Sequence, residues 1–221
     1  MTESTYGIKA TTLTAHVAGM LVLEEVGLVM DIAERAPDIA LEVGAYLGLS
    51  TCAMAARCRF PVYTVDNFQT RILRSPVYPH GFEYLASNED GFRANVERMG
   101  LTEKVHLLKQ DSQDAARRWR KPLGMVLIDG DHTQAVADVR AWSRFIVDGG
   151  YLLLHDKNEP DVQAALAEIE ASGEWQHVRT ASLLVVYKRT GGSVTLPAEV
   201  TEAIAEAVKE VAKKPARKGG K

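Results

Sequence analysis

The strongest constraint on this sequence is a regular alternation of short, β-rich apolar runs with helix-like segments. The apolar runs lie at 39–45, 62–66, 105–109, 125–128 and 151–155, and the helix-like segments at 49–57, 88–99, 113–120, 133–147 and 161–171. This alternation is typical of βαβ units, in which parallel strands form one sheet with helices on both faces. Two further runs, 175–180 and 183–188, predict a final pair of strands. We therefore expect a doubly wound α/β sheet, in which ligands bind beyond the carboxyl ends of the strands.

Three segments fall outside the alternation. Apolar residues at helical spacing predict a first helix over 13–35, and two prolines and a glycine predict a long loop over 69–84. With 221 residues, of which 46% are hydrophobic, the chain can bury one sizeable core. We expect one domain over 1–190, followed over 191–221 by a helix at 197–213 and a disordered basic tail.

The charge of the chain is unevenly distributed. The formal net charge is -3, yet residues 209–221 hold six lysines and arginines against one glutamate. The tail is interpreted as a solvated terminus or a weak attachment for an acidic partner, and the acidic body argues against nucleic-acid binding. No apolar run approaches the roughly 18 residues that span a bilayer, and no signal-peptide pattern is present. These features predict a cytoplasmic protein with no membrane partner.

The first candidate binding site follows the first predicted strand, in the segment EVGAYLGLS that begins at Glu42. Gly44 permits a tight turn, and Gly48 begins a helix whose free N–H groups point at a ligand. Glu42 ends an apolar strand, where burial costs free energy unless a partner such as a cationic amino group satisfies it. A dinucleotide site has glycine at all three positions of GxGxxG, whereas Tyr46 replaces the middle one here. The segment favours a cationic ligand over a pyrophosphate, and a generic βα turn is the alternative.

Two more predicted strands end in polar residues. Asp66 lies 24 residues after Glu42, where it can accept hydrogen bonds from ribose hydroxyls or form an Asx turn. Asp111 and Ser112 follow the third strand, and they either accept an adenine amino group or cap the next helix. These residues indicate a nucleoside without identifying the chemistry performed on it.

Ionisable residues also follow the fourth and fifth predicted strands. Asp129, Asp131 and His132 end the segment IDGDH, and Asp156 and Lys157 end the segment LLHDK. Adjacent parallel strands should bring Asp129 and Asp156 to the same edge, where two carboxylates and waters make a plausible Mg²⁺ site. Alternatively, the acids are acid–base groups or partners of Lys157, and Asp131 is a helix cap.

With these positions in order, residues 39–189 resemble a class I S-adenosylmethionine-dependent methyltransferase. The segment that begins at Glu42 is similar to the first motif of catechol-type O-methyltransferases. The segments IDGDH and GGYLLLHD are similar to the macrocin O-methyltransferase and cephalosporin-hydroxylase-like branch. The resemblance implies a Rossmann-like sheet of seven strands in the order 3-2-1-4-5-7-6, mostly parallel, with only strand 7 antiparallel.

The resemblance also implies roles for the site residues, with S-adenosylmethionine as the cofactor. For the methionine part and the turn beside it, the residues are Glu42, Gly44, Tyr46, Gly48 and Ser50. Asp66 would bind the ribose, and Asp111 and Ser112 the adenine. Asp129 is also among the cofactor residues. Asp129 and Asp156 fall where metal-dependent members bind a metal. His132 falls where catechol-type members keep a lysine that deprotonates the acceptor, and Asp131 where the base is assigned in sugar-type relatives.

Two departures from the family pattern concern the metal. Lys157 stands where catechol-type members have an asparagine ligand, and His155 stands where sugar-type relatives have an acid. A cation at position 157 would oppose a metal ion. The sequence therefore leaves both the Mg²⁺ site and the acid–base alternative open.

The expected reaction is direct methyl transfer to a hydroxyl of a sugar or another small molecule. His132 suits the role of base because an unperturbed histidine has a pKa of about 6.5, and the loop over 69–85 would cover the substrate. Two other classes stay open, a nicotinamide-dependent oxidoreductase and a noncatalytic nucleoside-binding domain. The expected partners are the small-molecule acceptor and a second copy of the chain, the latter through the apolar first helix.

Overall fold

Seven strands form one sheet in the computed structural model, which describes residues 7–69, 72–73, 82–83 and 87–191. The strands are β1 (Ala40–Val43), β2 (Val62–Val65), β3 (Val105–Leu108), β4 (Leu123–Ile128), β5 (Ile146–Leu154), β6 (Trp175–Ala181) and β7 (Leu184–Arg189). The α-helices are α1 (Ala10–His16), α2 (Leu23–Arg35), α3 (Leu49–Arg57), α4 (Ser87–Arg98), α5 (Ser112–Arg118), α6 (Ala135–Trp142) and α7 (Pro160–Ser172). Single 3-10 turns cover His132–Gln134 and Ser143–Phe145, and Ile72–Leu73 pairs with Phe82–Glu83 outside the sheet.

The strand order is 3-2-1-4-5-7-6, which confirms the predicted topology. Strand β1 pairs in parallel with β2 on one side and with β4 on the other. Strands β3 and β5 extend the parallel sheet outward, and β7 runs antiparallel to both β5 and β6. The order therefore reverses between β1 and β4, and this switch point is where open α/β sheets bind ligands.

Helices cover both faces of the sheet, and the alternation of side chains along each strand divides the core. In β4, Met125 and Leu127 pack on the face that α1, α2, α3 and α4 cover. Val126 and Ile128 pack on the other face, against α5, α6 and α7. All the residues of β1 and β4 are buried, because central parallel strands have no face open to water.

The predicted first helix, 13–35, is two helices with a break between His16 and Leu23. Gly19 lies in the break, and a Cβ there would lie 2.6 Å from the Cβ of Leu49, so the chain passes α3 at a distance that suits only glycine. The Val22 backbone N–H donates to Glu25 Oε2 at 2.8 Å and fixes the start of α2. Helical spacing of apolar residues does not reveal such a break, because residues on both sides of it are buried.

The predicted helix over 133–147 is wrong at its end. Helix α6 stops at Trp142, and β5 begins at Ile146, before the two glycines that were expected to end the helix. Gly149 has a φ of +78°, and the register between β4 and β5 shifts in this region. The glycines therefore form a bulge inside a strand, which is their other common use.

The other predicted strands and helices of the described chain are confirmed, with boundaries shifted by five residues at the start of β5 and by two or fewer elsewhere. The predicted helix over 197–213, the basic tail and most of the loop over 69–85 lie outside the described residues. Within the described ranges, every helix is too short or too polar to cross a membrane.

The close packing at the start of β4 gives a test of the fold. A Cβ on Gly124 would lie 2.2 Å from the backbone nitrogen of Asp38, whereas a Cβ on Gly27 in α2 would meet nothing within 4 Å. We expect Gly124→Ala to lower the free energy of unfolding by about 1–3 kcal/mol through overpacking. Gly27→Ala should raise it by about 0.5–1 kcal/mol, because alanine loses less entropy than glycine in a helix. Urea unfolding measures both, and an unchanged midpoint for Gly124→Ala would contradict the packing.

Candidate functional site

A cleft lies beyond the carboxyl ends of β1, β2, β3 and β4, at the switch point of the sheet. Its empty space is about 580 Å³, including the part that is open to solvent. The predicted site residues in its wall are Gly44, Asp66, Asp111, Ser112 and Asp131. The other predicted residues, Glu42, Tyr46, Gly48, Ser50, Asp129, His132 and Asp156, lie outside the wall.

The turn between β1 and α3 is built on left-handed backbone conformations. Gly44, Tyr46 and Gly48 have φ values of +95°, +45° and +89°, and Gly48 is the N-cap of α3. A Cβ on Gly44 would lie 2.2 Å from the carbonyl oxygen of Asp129. The segment that approaches Gly44 so closely is therefore the backbone after β4.

Asp66 holds this turn in place while it lines the cleft. Its Oδ2 accepts hydrogen bonds from the backbone N–H groups of Ala45 at 2.8 Å and Tyr46 at 3.2 Å. Its Oδ1 accepts from the backbone N–H of Phe68 at 2.8 Å, which is the Asx turn considered above. A carboxylate has about four lone-pair positions, so Asp66 retains capacity to accept from ribose hydroxyls.

Glu42 is satisfied inside the protein. Its side chain is fully buried on the face that α3 covers, and its Oε1 accepts from the Ser50 hydroxyl. Its Oε2 accepts from the hydroxyls of Thr51 and, at 3.1 Å, Thr64. Burial raises the pKa of Glu42 to about 8, although the three hydrogen bonds act in the opposite direction. The three hydroxyl partners of Glu42 correct the expectation that a ligand's ammonium group satisfies this acid. The Ser50 hydroxyl is one of these partners, so it is engaged away from the cleft.

The polar residues after β3 cap α5 and line the cleft at the same time. Asp111 Oδ1 accepts from the backbone N–H groups of Gln113 at 2.9 Å and Asp114 at 3.2 Å. The Ser112 hydroxyl donates to Oδ1 of Asp138, a buried acid of α6, and the Gln113 side chain donates to the same oxygen at 2.6 Å. Burial raises the pKa of Asp138 to about 6. The capping alternative therefore holds, and it leaves both Asp111 and Ser112 in the cleft wall.

The residues after β4 and β5 meet in one cluster of acids and imidazoles. Asp129 Oδ1 lies 3.1 Å from His155 Nδ1, and Asp156 Oδ2 lies 3.3 Å from the same nitrogen. Asp156 Oδ2 also lies 2.9 Å from His132 Nε2. Asp129 and Asp156 thus share one edge, as the adjacency of their strands predicts. Asp131 caps the turn that follows β4, because its Oδ1 accepts from the Thr133 backbone N–H at 3.1 Å and also from the Thr133 hydroxyl at 2.7 Å.

The cluster is strongly polarised. Burial opposes the charge on both rings, yet Asp156, Asp129 and Glu159 outweigh it and raise the pKa of His132 above its ordinary value. At His155, too, the nearby carboxylates outweigh burial, and they raise the pKa of the imidazole far above its ordinary value. Against its own burial, the two imidazoles hold the pKa of Asp156 well below its usual range. The geometry therefore favours ionised carboxylates that form ion pairs or hydrogen bonds with the rings of His132 and His155.

Two buried acids of this region are not among the residues predicted from the sequence. Glu25 is 1% exposed; its Oε2 lies 3.3 Å from His155 Nε2, and its Oε1 accepts from the Leu183 backbone N–H at 2.8 Å. Asp138 is the second. Both acids lie on the buried face of an amphipathic helix, and an acid at such a position is the signal that finds them.

Asp129, His155 and Asp156 offer three potential metal-ligand atoms within 4.8 Å of one another. Mg²⁺, however, takes oxygen ligands in a near-octahedral arrangement, and here an imidazole stands between the two carboxylates. Each ring nitrogen of His155 faces a carboxylate oxygen, at 3.1 Å for Nδ1 and 3.3 Å for Nε2, and these negative charges favour a protonated ring over one that binds a metal. The arrangement does not fit the magnesium ion that the resemblance implies.

The buried acid in β1 gives a pH-dependent test. Because the pKa of Glu42 is raised to about 8 in the folded state, the native protein binds a proton there that the unfolded chain releases above its ordinary value of 4.5. Stability should therefore fall as pH rises between about 4.5 and 8, by at most about 1.4 kcal/mol per pH unit from this group. Glu42→Gln should flatten that slope in urea unfolding. Equal slopes for the variant and the parent chain would contradict the raised pKa.

Comparison with known proteins agrees with this geometry. Residues 41–157, more than half of the chain, match the family model described as a methyltransferase domain. The fold is similar to that of the O-methyltransferase NovP, at 18% identity and a TM-score of 0.67 over 78% of this chain and 82% of that one. An O-methyltransferase from Bacillus cereus in complex with SAH matches at 18% identity and a TM-score of 0.59, over 81% of this chain and 86% of that one.

A third similar structure is the O-methyltransferase TomG from Streptomyces achromogenes, involved in tomaymycin synthesis and solved in complex with SAM. It matches at 12% identity and a TM-score of 0.61, over 86% of this chain and all of that one. These identities are low, so the structural likeness shows the fold, while the family model assigns the chain. The chain belongs to the methyltransferase domain family and has the Rossmann-like fold of the class I S-adenosylmethionine-dependent methyltransferases.

Proposed function

We propose that this protein is an O-methyltransferase that uses S-adenosylmethionine to methylate a hydroxyl of a sugar or another small molecule. The observation that supports it best is a cleft at the sheet's switch point with Asp66 and Asp111 in its wall and the His132–Asp156 pair at the neighbouring strand ends. The similar structures described as complexes with SAH and SAM support the cofactor.

The cleft offers the groups that an adenosyl moiety needs. Asp66 would accept from the ribose hydroxyls, and Asp111 and Ser112 would face the adenine. The turn through Gly44, Tyr46 and Gly48 would border the methionine part, with Asp129 on its other side. A carboxylate-rich edge also attracts the positive charge of a sulfonium ion, whereas it repels the pyrophosphate of a dinucleotide.

The chemistry required of the protein is limited, because the methyl carbon of a sulfonium is already electrophilic. In the proposed transfer, the acceptor oxygen would bond to that carbon as the carbon–sulfur bond breaks, and the donor would be left as a neutral thioether. The hydroxyl proton must go to a base. A neutral His132 ring that donates its Nε2–H to Asp156 has its lone pair on Nδ1, which would accept this proton.

Two alternatives from other classes remain distinguishable. A nicotinamide-dependent oxidoreductase would need room for a pyrophosphate at the β1 turn, where Tyr46 stands in place of a glycine. A noncatalytic nucleoside-binding domain would bind S-adenosylmethionine without releasing S-adenosylhomocysteine in the presence of any acceptor.

Cofactor binding tests the first part of the proposal. In calorimetric titrations, the protein should bind S-adenosylmethionine and S-adenosylhomocysteine and show no comparable affinity for NAD. Asp66→Asn should weaken binding by about 10- to 150-fold, because it removes a charged acceptor worth about 1.5–3 kcal/mol. Asp31→Asn, which alters an exposed ion pair on α2, is the matched control and should bind normally. Tighter binding of NAD than of S-adenosylmethionine would contradict the proposal.

Catalysis tests the second part, with S-adenosylhomocysteine release measured over a panel of sugar and catechol hydroxyls. His132→Gln should lower kcat by about 10²- to 10⁴-fold, the usual contribution of a general base. In the parent enzyme kcat/KM should fall as pH decreases through the raised pKa of His132, because only the neutral ring accepts a proton.

Asp156→Asn should move that fall to lower pH, since Asp156 raises the pKa of His132 together with Asp129 and Glu159. Glu168→Gln, which removes an exposed partner of Arg140 on α7, serves as the control and should leave the profile unchanged. A parent profile that is flat from pH 6 to 9, or full activity in His132→Gln, would exclude His132 as the base.

A further inference from the structure

His155 occupies an unusual position for a histidine, because three carboxylates surround its ring. The side chain is 2% exposed, and its Nδ1 faces Asp129 at 3.1 Å and Asp156 at 3.3 Å. Its Nε2 faces Glu25 Oε2 at 3.3 Å. Carboxylate oxygens within 3.3 Å of both ring nitrogens stabilise the ring as a cation, which carries a proton on each nitrogen.

Glu25 fixes this ring from outside the sheet. One of its oxygens accepts from the Val22 backbone N–H at the start of α2, and the other from the Leu183 backbone N–H in the turn between β6 and β7. The carboxylate is therefore anchored at two backbone positions before it meets His155. A buried acid held in this way orients the imidazole and stabilises its charge.

We propose that His155 is the resident cation of this site. Its imidazolium ring, held by Glu25, occupies the place between Asp129 and Asp156 that a divalent metal would otherwise take. The inference rests on the proposed function only in assigning this edge to the methyl-transfer site. Glu25 and His155 are positioning residues in this account. They fix Asp129 and Asp156, and Asp156 in turn orients His132.

The proposal makes a gain-of-binding experiment possible. His155→Asp removes the internal cation and adds a third carboxylate beside Asp129 and Asp156, which gives an all-oxygen set of the kind that Mg²⁺ and Mn²⁺ prefer. Titration with MnCl₂, followed by the electron paramagnetic resonance signal of free Mn²⁺, requires neither methyl donor nor acceptor. Its result is therefore independent of whether the protein transfers methyl groups.

We expect the parent protein to leave the free Mn²⁺ signal unchanged at equimolar protein. His155→Asp should bind one Mn²⁺ at least tenfold more tightly, and adding Asp129→Asn to that variant should abolish the gain. Circular dichroism and a cooperative urea-unfolding transition check that each variant is folded. Binding of Mn²⁺ by the parent protein that is lost in Asp129→Asn would overturn the proposal, and so would a folded His155→Asp that binds no metal.

A second measurement applies to the parent protein alone and does not require any variant to fold. In nitrogen-15 spectra of the histidine side chains at neutral pH, the buried ring should show a proton on both nitrogens. The ring signals should also be unaffected by added MgCl₂. A single protonated nitrogen on His155, or signals that shift with stoichiometric magnesium, would overturn the assignment of the ring as the resident cation.

Discussion

The close contact between the ends of β1 and β4 determines the geometry of everything around it. The Asp129 backbone N–H donates to the Val43 carbonyl at 2.9 Å, and Gly44 donates to the Val65 carbonyl at 2.9 Å. The Asp129 carbonyl lies so near Gly44 that no Cβ would fit. These contacts join the ends of β1, β2 and β4, so that Asp66 on one side of the glycine turn and Asp129 on the other are held at fixed positions. The cleft forms between rigid strand ends, which is how precise binding sites are usually built.

The buried acids at this edge differ in charge because their partners differ. Glu42 is surrounded by hydroxyl groups, which stabilise a carboxylate too weakly to offset full burial, and the pKa is raised to about 8. Asp156 is also buried, but two imidazoles hold its pKa well below the usual range. A neutral acid on the α3 side supports the turn, and ionised acids near the cleft supply the negative field that a sulfonium cofactor requires.

The sequence predicts the strands and the positions of the residues that follow them, because apolar runs and capping residues are local signals. The resemblance supplies the strand order, which local signals do not contain. What failed depends on contacts between distant segments: the break at Gly19 depends on Leu49, and the partners of Glu42 lie on α3 and β2. Glu25 escaped notice because its contacts, His155 and Leu183, are far from it in the chain, although an acid on the buried face of α2 is visible in the sequence.

The central claim is that this cleft receives the adenosyl part of a methyl donor. The most direct measurement is a crystal structure of the protein with S-adenosylhomocysteine. The account predicts the ribose hydroxyls within hydrogen-bonding distance of Asp66, the adenine beside Asp111 and Ser112, and the sulfur directed toward the edge that contains Asp129 and His132. A ligand bound elsewhere on the chain, or a cleft that stays empty at saturating ligand, would contradict it.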